Sequence, residues 1–206
     1  MLPLVKCYCS DRGWGLLAES LQVYGGSGYC QDYPIEQYIR DQKIDTLYEG
    51  TTHIQALDLF FRKVGRDGGA TLQALLGRVR ETLDTKEGGD ALAEERALLE
   101  AALGDVEAIF MTMLGKVQEH VDHVGLQGNR VLHAVAEIVI GWLLVRHAAV
   151  ALRRRDGASE DDRAFYDGKV ASAQWFCREV LPGLAHTRRM IEASRLDLTH
   201  LPESAF

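Results

Sequence analysis

From residue 91 onward the chain sets apolar residues four and three apart, at Leu99, Leu103, Val106, Phe110, Met113, Val117, Val121 and Val124. That period gathers them into one narrow stripe, so it predicts a long helix over 91 to 125 whose seam packs in a bundle. Gly125 to Asn129 reads as the turn that follows. Residues 130 to 155 are apolar around most of a helical circumference, which predicts the most buried helix of the set. Asp156-Gly157-Ala158-Ser159 turns the chain again, with Ser159 capping a helix that runs to Val180, and Pro182-Gly183 separates a last helix over 184 to 195.

The first 90 residues are more broken. A helix is expected over 4 to 24, with Trp14, Leu17, Leu21 and Tyr24 on one face. Its start carries no Ser, Thr, Asp or Asn cap and only Pro3, as though the chain began inside or just before an element. Gly25-Gly26-Ser27-Gly28 ends this helix, and Asp32-Tyr33-Pro34 starts a short one to Lys43 with Ile35, Tyr38 and Ile39 inward. Thr51 or Thr52 caps the next helix, carried by Ile54, Leu57, Phe60, Phe61 and Val64. Gly65-Arg66-Asp67-Gly68-Gly69 is the first linker, an amphipathic helix covers 70 to 84, and Thr85 to Asp90 is a second break. With no strand pattern of useful length and no repeat, the fold class is all-α, a helical bundle.

Charge narrows the functions. Among 206 residues the formal net charge is −7 and the pI about 5.5, so neither nucleic acid nor an anionic membrane has a basic surface to hold it. Arg153-Arg154-Arg155 is the one basic run, and it closes a helix, where positive charge is favourable. Cys7, Cys9, Cys30 and Cys177 form no CxxC pair, and the N-terminus has no signal-peptide pattern; free thiols in a cytoplasmic protein are expected. Residues 131 to 152 are the most apolar window, but His133, Glu137, Arg146 and His147 interrupt it, so a buried helix is expected rather than a membrane span.

Few residues carry candidate chemistry. Glu49 stands at the mouth of a helix start beside Tyr48, where the helix dipole and an apolar wall pull its acidity in opposite directions. On position alone it reads as a solvated charge. The glycines at 25, 26 and 28 leave backbone N–H groups open to phosphate or the edge of a cofactor, or serve simply as a helix end and turn. Arg40-Asp41 reads as a structural ion pair. His120 and His123 have a spacing that can share a metal, but no third ligand is in evident reach, so a solvated pair and no metal site are expected.

Taken in order, four blocks change this reading: Leu21-Gln22-Val23-Tyr24-Gly25-Gly26-Ser27-Gly28-Tyr29, Asp32-Tyr33-Pro34-Ile35-Glu36, Ile39-Arg40-Asp41, and Tyr48-Glu49-Gly50-Thr51-Thr52-His53-Ile54-Gln55. Across residues 16 to 64 the chain closely resembles the C-terminal domain of the flavin-dependent acyl-CoA dehydrogenases. After Gly65 it resembles, more loosely, the helical C-terminal extension of the larger bacterial members. The resemblance implies residues 1–64 as part of that C-terminal domain, 65–90 as a linker with a short helix, and 91–206 as an extension bundle of four-helix type.

By the same resemblance Glu49 is the catalytic base that takes the α-proton of an acyl-CoA thioester, and Gly50 lies along the substrate. Gln22, Val23, Tyr24, Gly25 and Gly26 approach the FAD of a neighbouring subunit, and Thr51, Thr52 and His53 contact FAD; His53 departs from the Gln or Ser often found there. The product is a trans-2-enoyl-CoA, an electron-transferring flavoprotein is the expected acceptor, and a homo-oligomer or a partner chain carrying the family's N-terminal and middle domains is expected. Those domains are not in this sequence, so FAD is expected to be held weakly by the chain alone. The competing reading is a non-catalytic helical assembly module derived from the same family. A DNA-binding reading, borrowed from relatives of that family, is opposed by the acidic charge.

Overall fold

The computed structural model describes residues 1–199 and 201–205, and among these there is no strand. Nine α-helices follow in order: α1 (Leu2–Tyr24), α2 (Gly26–Tyr29), α3 (Ile35–Lys43), α4 (Thr52–Leu57), α5 (Ala70–Asp84), α6 (Ala93–Glu119), α7 (Asp122–Arg155), α8 (Glu160–Glu179) and α9 (Gly183–Glu192). A wider, π-type winding continues α4 through Asp58–Val64. The all-α expectation therefore holds.

α7 is the axis of the molecule. It packs against α6 and α8, and from its other side against α1, α4 and α5. Leu132, Ile138, Val145, Ala148 and Ala149 have no exposed surface, so its near-continuous apolarity is explained by neighbours on all sides. By length and hydropathy α7 alone among the described residues could cross a membrane, yet most of its apolar window is buried within the fold. The α6 seam is buried at Leu99, Leu103, Val106, Phe110 and Met113, and α9 closes over α6 through Leu184 and Ile191. One apolar cluster runs from Leu4 and Cys7 through Ala56 and Phe60 to Ile191.

The break between α6 and α7 lies six residues earlier than the glycines predict. His120 becomes extended (φ −163°, ψ 140°) and its Nδ1 accepts from the Asp122 N–H at 3.2 Å, which starts α7 at Asp122. Gly125 to Asn129 is helical. Gly128 faces α4, where a Cβ would meet that of Ala56 at 3.4 Å, so α4 and α7 come into contact at this point. The expectation of a solvated His120–His123 pair is also corrected. His123 is buried, its Nδ1 lies 3.0 Å from Ser194 Oγ, and Gln127 Nε2 donates to the same oxygen at 3.0 Å. Asp122 lies 3.3 Å from His120. Among the described residues no His, Cys, Asp and Glu cluster could hold a metal.

Three smaller expectations change. Tyr38 is exposed because only one side of α3 meets α1, leaving Ile35 as its buried residue. Arg40 pairs with Glu36 one turn back, at 2.8 Å, instead of with its neighbour Asp41, whose side chain leaves the helix in another direction. The buried residues of α1 are Pro3, Leu4, Cys7 and Ser10, while Trp14 and Tyr24 remain partly exposed.

All four cysteines are free, with Cys7 and Cys177 buried and Cys9 and Cys30 exposed. Burial pushes the Cys177 thiol up to about 12; nearby Glu95 adds to this and Arg178 opposes it. A neutral thiol reagent at pH 8 should therefore modify Cys9 and Cys30 in the native chain and leave Cys7 and Cys177 intact, as peptide mass mapping would record. The folded value lies above the unfolded one, so this group's stabilisation is complete below about pH 8.5 and is lost as pH rises toward 12. Thermal melts across that window should show a falling Tm, flattened by Cys177→Ala.

Candidate functional site

The Glu49 turn is assembled against the first half of α1. Thr46 closes the preceding 3-10 turn by donating to the Lys43 carbonyl at 2.9 Å, and Leu47, Tyr48 and Glu49 then emerge into solvent. Glu49 has φ 55° and Gly50 φ 91°. Glycine takes this left-handed conformation freely, but a side chain there costs about 1–2 kcal/mol. The chain needs it to reverse direction within two residues and enter α4, whose N-cap is Thr51, its Oγ1 accepting from the Ile54 N–H at 3.4 Å.

Three side chains hold the turn from beneath. Lys6 Nζ donates to the Gly50 carbonyl at 2.6 Å, Gln55 Nε2 donates to the Glu49 carbonyl at 2.8 Å, and Thr52 Oγ1 donates to Asp11 at 3.0 and 3.2 Å. Asp11 also meets His133 Nε2 of α7 at 3.1 Å, and the His133 ring stands edge-on to Tyr8 with centroids 5.6 Å apart. One turn further along α7, Glu137 pairs with Arg12 at 2.9 Å. Burial, with the neighbouring Glu137, pushes the Tyr8 phenol up, and burial likewise pushes the Cys7 thiol up, so both stay protonated at neutral pH. A polar ladder thus ties α1, α4 and α7 together directly behind Glu49.

The glycine loop lies at the other end of α1. Gln22, Val23 and Tyr24 form the last exposed turn of that helix, and Gly25 (φ 62°, ψ −148°) breaks it before the single turn of α2. Nothing stands within 4 Å of the space a Cβ would take at Gly25 or Gly26, so their backbone is open to a flat group laid against it. Gly28 is different: a Cβ there would come within 2.6 Å of that of Tyr24 and 3.1 Å of the Leu21 carbonyl. Gly28→Ala should destabilise the chain by about 1–3 kcal/mol, read as a lower denaturation midpoint. At 1.5 Å per residue, Gly25 is about 20 Å along α1 from Asp11. The chain does not bring its glycine loop onto Glu49.

Of the residues named from the sequence, then, Glu49, Gly50, Thr51, Thr52 and the half-buried His53 share one turn, while Gln22, Val23, Tyr24, Gly25 and Gly26 share another. Sequence reasoning missed Lys6, Asp11, Gln55 and the His133–Glu137 pair. A signal for the last existed: His133 and Glu137 lie four apart in the most apolar helix, where polar side chains persist only with partners. An all-helical module that presents one carboxylate in a strained, exposed turn and an open glycine rim is the class of site this fold defines.

Two family profiles match. Residues 75–202 match the family described as "Acetyl-CoA dehydrogenase C-terminal like", and residues 2–62 match "Acyl-CoA dehydrogenase, C-terminal domain". The chain belongs to the acyl-CoA dehydrogenase family and corresponds to its C-terminal part. Among its relatives, the broad-specificity linear acyl-CoA dehydrogenase FadE5 of Mycobacterium tuberculosis is 49% identical over 100% of this chain and 35% of its own length. A butyryl-CoA dehydrogenase of Syntrophomonas wolfei is 31% identical over 100% of this chain and 34% of its own. The fold resembles that of an acyl-CoA dehydrogenase from Bacillus anthracis solved with FAD, with a TM-score of 0.71 and 22% identity over 95% of this chain and 33% of that one. The chain spans about a third of the length of these relatives.

Proposed function

We propose that this chain is the base-bearing third of an FAD-dependent acyl-CoA dehydrogenase that converts an acyl-CoA thioester to the trans-2-enoyl-CoA. The observation that carries the reading is Glu49 itself, a carboxylate kept in a left-handed turn that glycine would occupy without cost. Glu49 removes the α-proton, while its backbone N–H donates to the thioester carbonyl as negative charge develops there. FAD, when bound, supplies the acceptor for the β-hydride, and an electron-transferring flavoprotein then takes the electrons onward. Gly50 lies along the substrate, and the exposed Leu47 and Tyr48 supply apolar surface beside it.

The residues present suit the cofactor in two separate places. Thr51, Thr52 and His53 would line one FAD at the start of α4. Gln22, Val23, Tyr24, Gly25 and Gly26 would lie against another, held by a second copy, since about 20 Å of helix separates the two groups. A homo-oligomer follows from that division. Residues 1–64 act as the catalytic part and 91–206 as the supporting bundle, joined through 65–90.

The test is a chimera in which this chain replaces the matching third of the M. tuberculosis relative. Dye reduction with acyl-CoA is expected from the chimera, and the chain alone is expected to purify colourless. A chimera that binds FAD and reduces no dye with any acyl-CoA supports the assembly-module reading instead.

A further inference from the structure

We infer that Lys6 is a positioning residue for the Glu49 turn. The inference rests on the reading of Glu49 as the base. Lys6 is partly buried on α1 and its ammonium is directed at the Gly50 carbonyl at 2.6 Å. It makes no ion pair with a carboxylate among the described residues, and the Gly50 carbonyl is the acceptor its ammonium meets. The adjacent carbonyl, that of Glu49, is held by Gln55 Nε2 at 2.8 Å. Both carbonyls flanking Gly50 are therefore fixed, one from α1 and one from α4. In a trans peptide the N–H points opposite to its C=O, so pinning the Gly50 oxygen toward α1 turns the Thr51 N–H away from it. A charged donor on that oxygen also polarises the peptide and makes the same N–H a stronger donor.

The consequence concerns orientation more than adhesion. Leu4 and Cys7 already seat α1 in the apolar core, and Asp11 already joins it to Thr52. Lys6 adds a constraint on the two left-handed residues alone. Without it, the turn keeps only the Gln55 hydrogen bond to hold its left-handed residues, and the Glu49 carboxylate samples a wider arc.

The first test uses the chain by itself. Hydrogen exchange of the peptide spanning residues 47–55 should run about tenfold faster in Lys6→Met, since a hydrogen bond from a charged group is lost, with α7 unchanged and Lys6→Arg restoring protection. Unchanged exchange in Lys6→Met overturns the inference. Should Lys6→Met loosen the whole chain, Lys6→Gln gives the same comparison with a neutral, shorter donor. In the chimera, Lys6→Met should lower kcat by about tenfold to a hundredfold, as a misplaced base does, with KM little changed and Lys6→Arg recovering most of the rate. A loss confined to KM overturns it. Glu49→Gln run alongside separates the two claims: full activity there sinks the assignment of the base, while the exchange result still reports on Lys6.

Discussion

In the flavin-loaded chimera, Glu49→Gln is expected to lower kcat by about 10²–10⁴-fold, the range associated with losing a general base. The fold and flavin content should be unaffected, because the hydrogen bond at residue 49 is made by its backbone carbonyl, which the amide leaves in place. Glu49→Gly is the sharper companion. At φ 55° a glycine relieves about 1–2 kcal/mol of backbone strain, so this variant should be at least as stable as the parent in denaturant while being equally inactive. A solvated loop carboxylate would give a stabilised chain with no loss of rate. The two readings of Glu49 predict opposite kinetics from one pair of variants.

The largest expected effect on stability lies in the bundle. Trp142 of α7 is buried, and its Nε1 donates to Thr82 Oγ1 of α5 at 2.8 Å, joining the axis of the molecule to the helix after the first linker. Trp142→Ala should cost about 3–5 kcal/mol through the cavity it leaves. For a chain of this size that lowers Tm by about 10 °C. Trp142→Phe keeps most of the packing and loses the hydrogen bond, which costs about 1 kcal/mol. If Trp142→Ala melts with the parent, α5 does not depend on α7 as the structure indicates.

Much of the helical layout was legible because burial imposes a period. The Leu99 to Met113 seam, the helix over 70 to 84 and the Ser159 cap, whose Oγ accepts from the Asp162 N–H at 3.2 Å, are local signals and survive intact. The α6–α7 turn was misplaced because a glycine that ends a helix and one that lies inside a packed helix look alike in sequence. Gly128 is of the second kind, inside α7 and facing Ala56 of α4, 72 residues away.

The candidate site divides the same way. Glu49 to His53 is contiguous, so a sequence block could carry it. Lys6 and Asp11 act on that block from 44 and 41 residues away, His133 in turn meets Asp11 from 122 residues away, and these partners exist only once α1, α4 and α7 have packed. No composition or spacing rule points a lysine at a backbone carbonyl. The two glycine functions within one loop were likewise hidden. Gly25 is open to an outside group and Gly28 is closed by Tyr24.

Removal of the α-proton by Glu49 can be separated from flavin reduction. The chimera with oxidised FAD would be incubated in D₂O with an acyl-CoA whose β-carbon carries no hydrogen, and deuterium at the α-carbon followed by mass spectrometry. With Glu49 as the base, α-deuteration should depend on the enzyme and fall to the background rate in Glu49→Gln. Equal deuteration by the parent and Glu49→Gln would rule out Glu49 as the base.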